Sequence, residues 1–212
     1  MRIFLILPTY ILTLRLNSTK KTVQISSIYT VSVTLISIFY FDFLNWNLTF
    51  HFSIDFEVKF MNNIMIEQIK GLLTEENMIA ALANVSSCIM FNYENLNWSG
   101  FYFKTNKDLV LGPFQGKPAC THIPFEKGVC GKTYREKSVQ RVDDVLNFQD
   151  HIACDSASRS ELCVPVIIDD ECKIIIDLDS PVPSRFSEKE EKEMLEVSLL
   201  IKEAYLQHHW TI

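Results

Sequence analysis

Residues 111–160 read LGPFQGKPACTHIPFEKGVCGKTYREKSVQRVDDVLNFQDHIACDSASRS, and the setting of Cys120, Cys130 and Cys154 in this stretch governs how the rest of the chain is read. All three lie in polar, turn-rich sequence. Structural cysteines normally sit inside apolar runs as small hydrophobes, whereas reactive ones occupy loops and helix starts where a thiolate can be reached and stabilised. The stretch therefore reads as thiol chemistry carried on loops. The spacing matches no zinc pattern, because structural zinc uses close pairs such as Cys-x2-Cys and none is present. No metal is expected.

Upstream, residues 98–104 alternate in strand fashion, residues 105–108 form a turn, and residues 109–114 return as the second strand of a hairpin. Pro113 places that strand near an edge or shortens it. Downstream, residues 162–168 and 173–179 form another hairpin around Asp169-Asp170. Between them come a short helix near 129–136, a brief strand at 138–142 and a long loop at 144–158. Residues 61–91 read as two helices or one bent at Gly71, with Thr74 capping the second part and Met78, Leu82, Val85 and Ile89 on one face. Ser187-x-x-Glu190 is a capping box for a last helix whose apolar face is Met194, Val197, Ile201 and Ala204. Terminal helices with antiparallel hairpins between them describe an α+β domain with its helices on one face of the sheet.

The composition breaks near Met61. Residues 1–60 hold no Gly, Ala or Cys, while all six glycines and all six cysteines follow. Residues 61–212 are expected to form the catalytic domain and residues 1–60 an atypical N-terminal extension. One explanation is non-coding sequence read through to an upstream start, with Met61 or Met65 as the natural one; disorder is another. The apolar run after Met1-Arg2 and a second at 29–44 allow a signal or anchor, but the first lacks a small-residue cleavage pattern and Asp42 interrupts the second. The first sixty residues carry five basic and three acidic side chains, so the other 152 hold a formal charge of −8 within the whole-chain −6. That acidity argues against a nucleic-acid partner. No membrane association is expected for residues 61–212, and free thiols fit a reducing, cytoplasmic compartment better than a disulfide framework.

Asp177 and Asp179 are two apart on a strand and so share a face, which is unlike ordinary solvation in a segment otherwise built of Ile and Leu. Trp98 and Tyr102, four apart, also share a face and can form an aromatic wall.

From residue 65 to 206, about two thirds of the chain, the sequence resembles the free methionine-(R)-sulfoxide reductases, which use a GAF-type domain. The resemblance is carried by the runs at 97–102, 109–120, 123–125, 128–131, 151–158, 160–161, 164–165 and 177–181. Ser99 departs from a usual Val, and Ile174 from a usual Gly. The resemblance implies a six-stranded antiparallel sheet flanked by helices, a homodimer, and a substrate, free methionine sulfoxide, enclosed by the cysteine-bearing loops. It makes Cys154 the nucleophile and Cys120 the resolving cysteine, with Cys130 able to share that role. It also places Glu161, Asp177 and Asp179 around the substrate.

The chemistry suits these residues. A thiolate attacks the sulfoxide, becomes a sulfenic acid and condenses with a second cysteine; a thioredoxin-like dithiol then reduces the disulfide, with no bound cofactor. Clustered carboxylates raise one another's pKa, so one can stay protonated and serve the departing oxygen while another pairs with the substrate ammonium. Backbone N–H groups of Ser156, Ala157 and Ser158 and the Ser160 hydroxyl are candidates for the substrate carboxylate. Cys88 and Cys163 on apolar faces and Cys172 in a turn read as structural, and His151 as a structural hydrogen-bonder. The runner-up function is a non-catalytic GAF sensor of a small ligand. A cysteine hydrolase built on Cys154 and His151 lacks a convincing second histidine.

Overall fold

The computed structural model describes residues 64–148 and 154–212, together with the backbone of five strands nearer the N-terminus. The chain divides into two compact units, Met1–Phe52 and Ser53–Ile212. In the first, β1 (Arg2–Leu7), β2 (Tyr10–Asn17) and β3 (Thr22–Thr30) form an antiparallel sheet in that order, and β4 (Asp42–Phe43) pairs with β5 (Trp46–Asn47). The rest of residues 1–60, where the readings of an extension, signal or anchor mainly fall, lies outside the described residues. Among those described, no helix is long and apolar enough to cross a membrane.

The second unit opens with two helices, α1 (64–72) and α2 (Met78–Asn92). Thr74 does not cap α2. Its hydroxyl donates to the Gly71 carbonyl and closes α1, while Asn77 caps α2 by accepting from the Ala80 N–H at 3.0 Å. An Asn one residue before the helix reaches the orphan N–H groups that Thr74, one turn earlier, does not.

Six antiparallel strands follow: β6 (Trp98–Lys104), β7 (Asp108–Gly116), β8 (His122–Pro124), β9 (Gln140–Val142), β10 (Ser160–Ile168) and β11 (Glu171–Ser180). Their spatial order is β8-β7-β6-β11-β10-β9. The β10–β11 hairpin turns on Asp169 and Asp170, both at positive φ (49° and 60°), as a two-residue turn matching the strand twist requires. Pro113 does not shorten β7, but it lies at the sheet's edge as expected. It falls where the β6–β7 register shifts, with Phe101 facing two residues of β7, and β8 pairs only as far as Val110. A bulge there leaves no ladder bond for its missing N–H.

Side-chain alternation divides the sheet into two faces. Phe101 and Phe103, Leu162, Val164, Val166 and Ile168, and Ile174, Ile176 and Leu178 point to one side and form a core with α1, α2 and α4 (Glu188–Gln207). The Ser187–Glu190 capping box starts α4, and Met194, Val197, Ile201 and Ala204 are its buried stripe. Ile174 is fully buried in this core, beside a β10–β11 register shift, so the strand keeps its packing without the usual Gly. The helices are not all on this face: α3 (Gly128–Glu136) packs on the other with Trp98, Tyr102, Leu109, Ile123, Cys163, Cys172 and Ile175. Cys172 lies within β11 and is buried there rather than in a turn.

Ser99 faces the main core fully buried, and its hydroxyl has no partner among the described residues. An unpaired buried hydroxyl costs about 1–3 kcal/mol, and a β-branched apolar side chain suits a strand. Ser99→Val is therefore expected to raise the urea midpoint by an amount worth about 1 kcal/mol with activity unchanged. A lowered midpoint would mean the extra methyl does not fit.

Candidate active site

The second face of the sheet builds the site through register. Across β6, β11 and β10, Trp98, Asp179 and Glu161 are paired neighbours in one row, and Gly100, Asp177 and Cys163 in the next. Residues far apart in the chain thus meet because each occupies an inward position of its strand. Above them, α3 brings Val129 and Cys130, and the 154–158 turn brings Cys154, Asp155 and Ser158, to enclose a cavity also walled by Tyr102, Ala119 and Ile123. Gly100 is needed for the aromatic wall. A Cβ there would come within 2.5 Å of the Trp98 ring, which stacks between Tyr102 and Phe114 at centroid distances of 5.9 and 5.4 Å. The buried Trp98 Nε1 has no partner among the described residues.

Cys120 and Cys154 are joined by a disulfide with Cα atoms 5.3 Å apart. Tyr102 donates its hydroxyl to the Cys120 carbonyl at 3.0 Å, and Asn97 Nδ2 donates to Asp155 Oδ2 at 3.2 Å and Ser158 Oγ at 3.0 Å. Those bonds tie the two cysteine-bearing loops to the start and middle of β6. Beneath them, Cys163 Sγ lies 3.1 Å from Glu161 Oε1, 3.3 Å from Asp177 Oδ1 and 3.5 Å from Cys130 Sγ, all four residues being buried. Burial, reinforced by the Asp177 and Asp179 charges, pushes the Glu161 carboxyl well above the carboxylate range. Burial and the Asp177 charge likewise raise Asp179, with a Ser158 hydrogen bond pulling the other way. Burial pushes Asp177 up to about 6 despite hydrogen bonds from Cys163, Cys130 and Glu161.

These shifts carry a stability signature. A carboxyl raised in the folded state binds its proton more tightly there than when unfolded, so its contribution is fully present below about pH 4 and lost as pH rises through about 6. Asp177→Asn is expected to raise the melting temperature at pH 8, by the equivalent of about 2–3 kcal/mol, and to change it little at pH 4. Equal shifts at both pH values would contradict a raised Asp177.

Of the residues singled out in the sequence, Trp98, Tyr102, Cys130, Cys154, Ser158, Glu161, Asp177 and Asp179 line the cavity, and Cys120 reaches it through the disulfide. Ser156, Ala157 and Ser160 do not. Ala157 gives its N–H to Asp155 Oδ1 in a local turn, and Ser156 is exposed at the tip. The Ser160 hydroxyl is fully buried, donating to the Val182 carbonyl at 2.7 Å and accepting from the Arg185 N–H, so it braces the 180–185 connection instead. His151 lies outside the described residues. Cys163 is on an apolar face as expected, that of the second cluster, and there it lies beneath the cavity against Glu161, Asp177 and Cys130. Its position two residues from Glu161 in one strand was the signal that would have placed it there.

An α+β domain whose second sheet face carries thiols and carboxylates around a cavity is the class that this fold and site define. The GAF domain family model matches residues 77–201. The free methionine-R-sulfoxide reductase of Escherichia coli is 43% identical over 118 residues, 56% of this chain and 72% of that protein. Protein YtsP of Bacillus subtilis is 42% identical over 147 residues, 68% of this chain and 90% of that protein. The Neisseria meningitidis free methionine-R-sulfoxide reductase, solved in complex with its substrate, superposes with a TM-score of 0.69 at 33% identity, covering 76% of this chain and 96% of that one. The chain belongs to the GAF-domain family of free methionine-R-sulfoxide reductases, a family of oxidoreductases.

Proposed function

We propose that this chain reduces free L-methionine-(R)-sulfoxide to L-methionine with Cys154 as nucleophile and Cys120 as resolving cysteine. The observation that carries the reading is the Cys120–Cys154 disulfide at a cavity walled by Trp98 and floored by Glu161, Asp177 and Asp179. In the reduced enzyme, Cys154 attacks the sulfoxide sulfur. The sulfoxide oxygen takes a proton from a carboxyl held neutral by burial and passes to Cys154 as a sulfenic acid, releasing methionine. The Cys120 thiol then displaces that oxygen as water and forms the disulfide. Two thiols and one sulfoxide thus give one disulfide, one thioether and one water.

In this reading the aromatic wall of Trp98 and Tyr102 takes the methyl and sulfur end of the substrate, and Asp179 pairs with its ammonium. An external thioredoxin-like dithiol closes the cycle, and the acting form is a cytoplasmic homodimer. A sensor of small ligands requires neither the disulfide nor the carboxyl cluster, which disfavours that alternative. Incubating the full chain with free methionine sulfoxide and excess dithiol is expected to release free methionine. Its absence, with the substrate merely bound, would favour the sensor.

A further inference from the structure

Cys163 has no place in the cycle above, yet from beneath the cavity it touches three residues of the lining, Cys130, Glu161 and Asp177. It sits mid-strand on β10, fully buried, with its sulfur 3.5 Å from that of Cys130 and 3.1 Å from Glu161 Oε1. Cys130 stands in the first turn of α3 and shares the cavity wall with Cys154. The structure therefore holds an oxidised pair, Cys120–Cys154, and beside it a reduced pair of thiols already in van der Waals contact.

We propose that Cys130 and Cys163 form a second, internal dithiol that takes over the oxidising equivalent from the Cys120–Cys154 disulfide. One chain then reduces two equivalents of sulfoxide before it needs an external reductant; the proposal rests on the reductase reading.

The exchange balances in two displacements. Cys130 loses its proton to a neighbouring carboxylate and attacks Cys154; the Cys120–Cys154 bond breaks, Cys120 leaves and is protonated, and a Cys130–Cys154 bond forms. Cys163, whose thiol also lies 3.3 Å from Asp177 Oδ1, passes its proton to that carboxylate and attacks Cys130. The Cys130–Cys154 bond breaks, a Cys130–Cys163 disulfide forms, and Cys154 leaves as the thiolate that the next sulfoxide requires. Two thiols are oxidised and two are restored. The hydrogen bond between the two sulfurs favours the Cys130 thiolate, but burial and the surrounding carboxylates outweigh it and hold the Cys130 thiol well above the usual range; burial and the same neighbours raise Cys163 too. The exchange is accordingly slower than the first turnover.

The test uses the full chain, reduced, desalted and mixed without air or dithiol with excess free methionine-(R)-sulfoxide, with methionine counted by mass spectrometry. About two equivalents per chain are expected, the second in a slower phase, with a peptide map joining Cys130 to Cys163 at the end. Cys163→Val is expected to stop at about one equivalent yet still turn over repeatedly in excess dithiol, which also reports that it folds. One equivalent from the unaltered chain, or two from Cys163→Val, overturns the proposal. Absence of methionine even with excess dithiol would instead remove the reductase reading, and the proposal with it.

Discussion

Cys154→Ser is expected to lose sulfoxide reduction in a single turnover, a fall on the order of 10³-fold or more, because a serine hydroxyl cannot accept the sulfoxide oxygen as a sulfenic acid. Cys120→Ser should behave differently. Its Cys154 still takes the oxygen, so about one equivalent of methionine should appear before turnover slows with Cys154 held as the sulfenic acid. Rapid-quench measurement of methionine, paired with trapping of the sulfenic acid by a dimedone-type reagent, separates the two. The geometry is the basis of this ordering: Cys154 lines the cavity, whereas Cys120 reaches it by its bond to Cys154, with its carbonyl held by Tyr102. Retained single-turnover activity in Cys154→Ser together with its loss in Cys130→Ser would interchange the roles and leave the reductase reading intact. Full turnover in all three single variants would end that reading.

Blocking the substrate amine should be nearly as damaging. Among the described residues the cavity walls include Asp155, Glu161, Asp177 and Asp179 and no lysine or arginine; Lys117 reaches Asp155, at 3.6 Å, with its own side chain largely exposed. A ligand that brings an ammonium offsets this negative charge, and one that does not leaves buried carboxylates unpaired. N-acetylated methionine sulfoxide and sulfoxide within peptides are therefore expected to show kcat/KM lower by about 10³-fold or more, since a site built around a polar partner rejects ligands lacking it. The (S) epimer should also fail, because its oxygen and methyl exchange places between the carboxyl cluster and the aromatic wall. Measuring kcat/KM for the four substrates checks this, and comparable turnover of the blocked or peptide form would rule out an enclosed, ammonium-reading cavity.

The sequence by itself determined what depends on local covalent geometry. Period-two alternation put Asp177 and Asp179 on one face of a strand, and Trp98 and Tyr102 on one face of another, because successive side chains of any strand point oppositely. The capping box at Ser187 and the stripe of α4 were legible for the same reason: each is a relation among residues within two or three turns. The motif runs around the three cysteines carried the family.

Tertiary structure alone decided which faces meet. Register, a long-range property, set Glu161 opposite Asp179 and Cys163 opposite Asp177, and the docking of α3 on the second face brought Cys130 against Cys163. β8, three residues long, has too little sequence of its own to show a period and exists because β7 offers it an edge. Ser160 lay in a motif run, but a hydroxyl bonds whatever donor or acceptor folding places beside it, and here those are Val182 and Arg185 rather than a ligand. Local pattern selects a face for each side chain; only the packed sheet selects its neighbours, and the chemistry of this cavity is a property of neighbours.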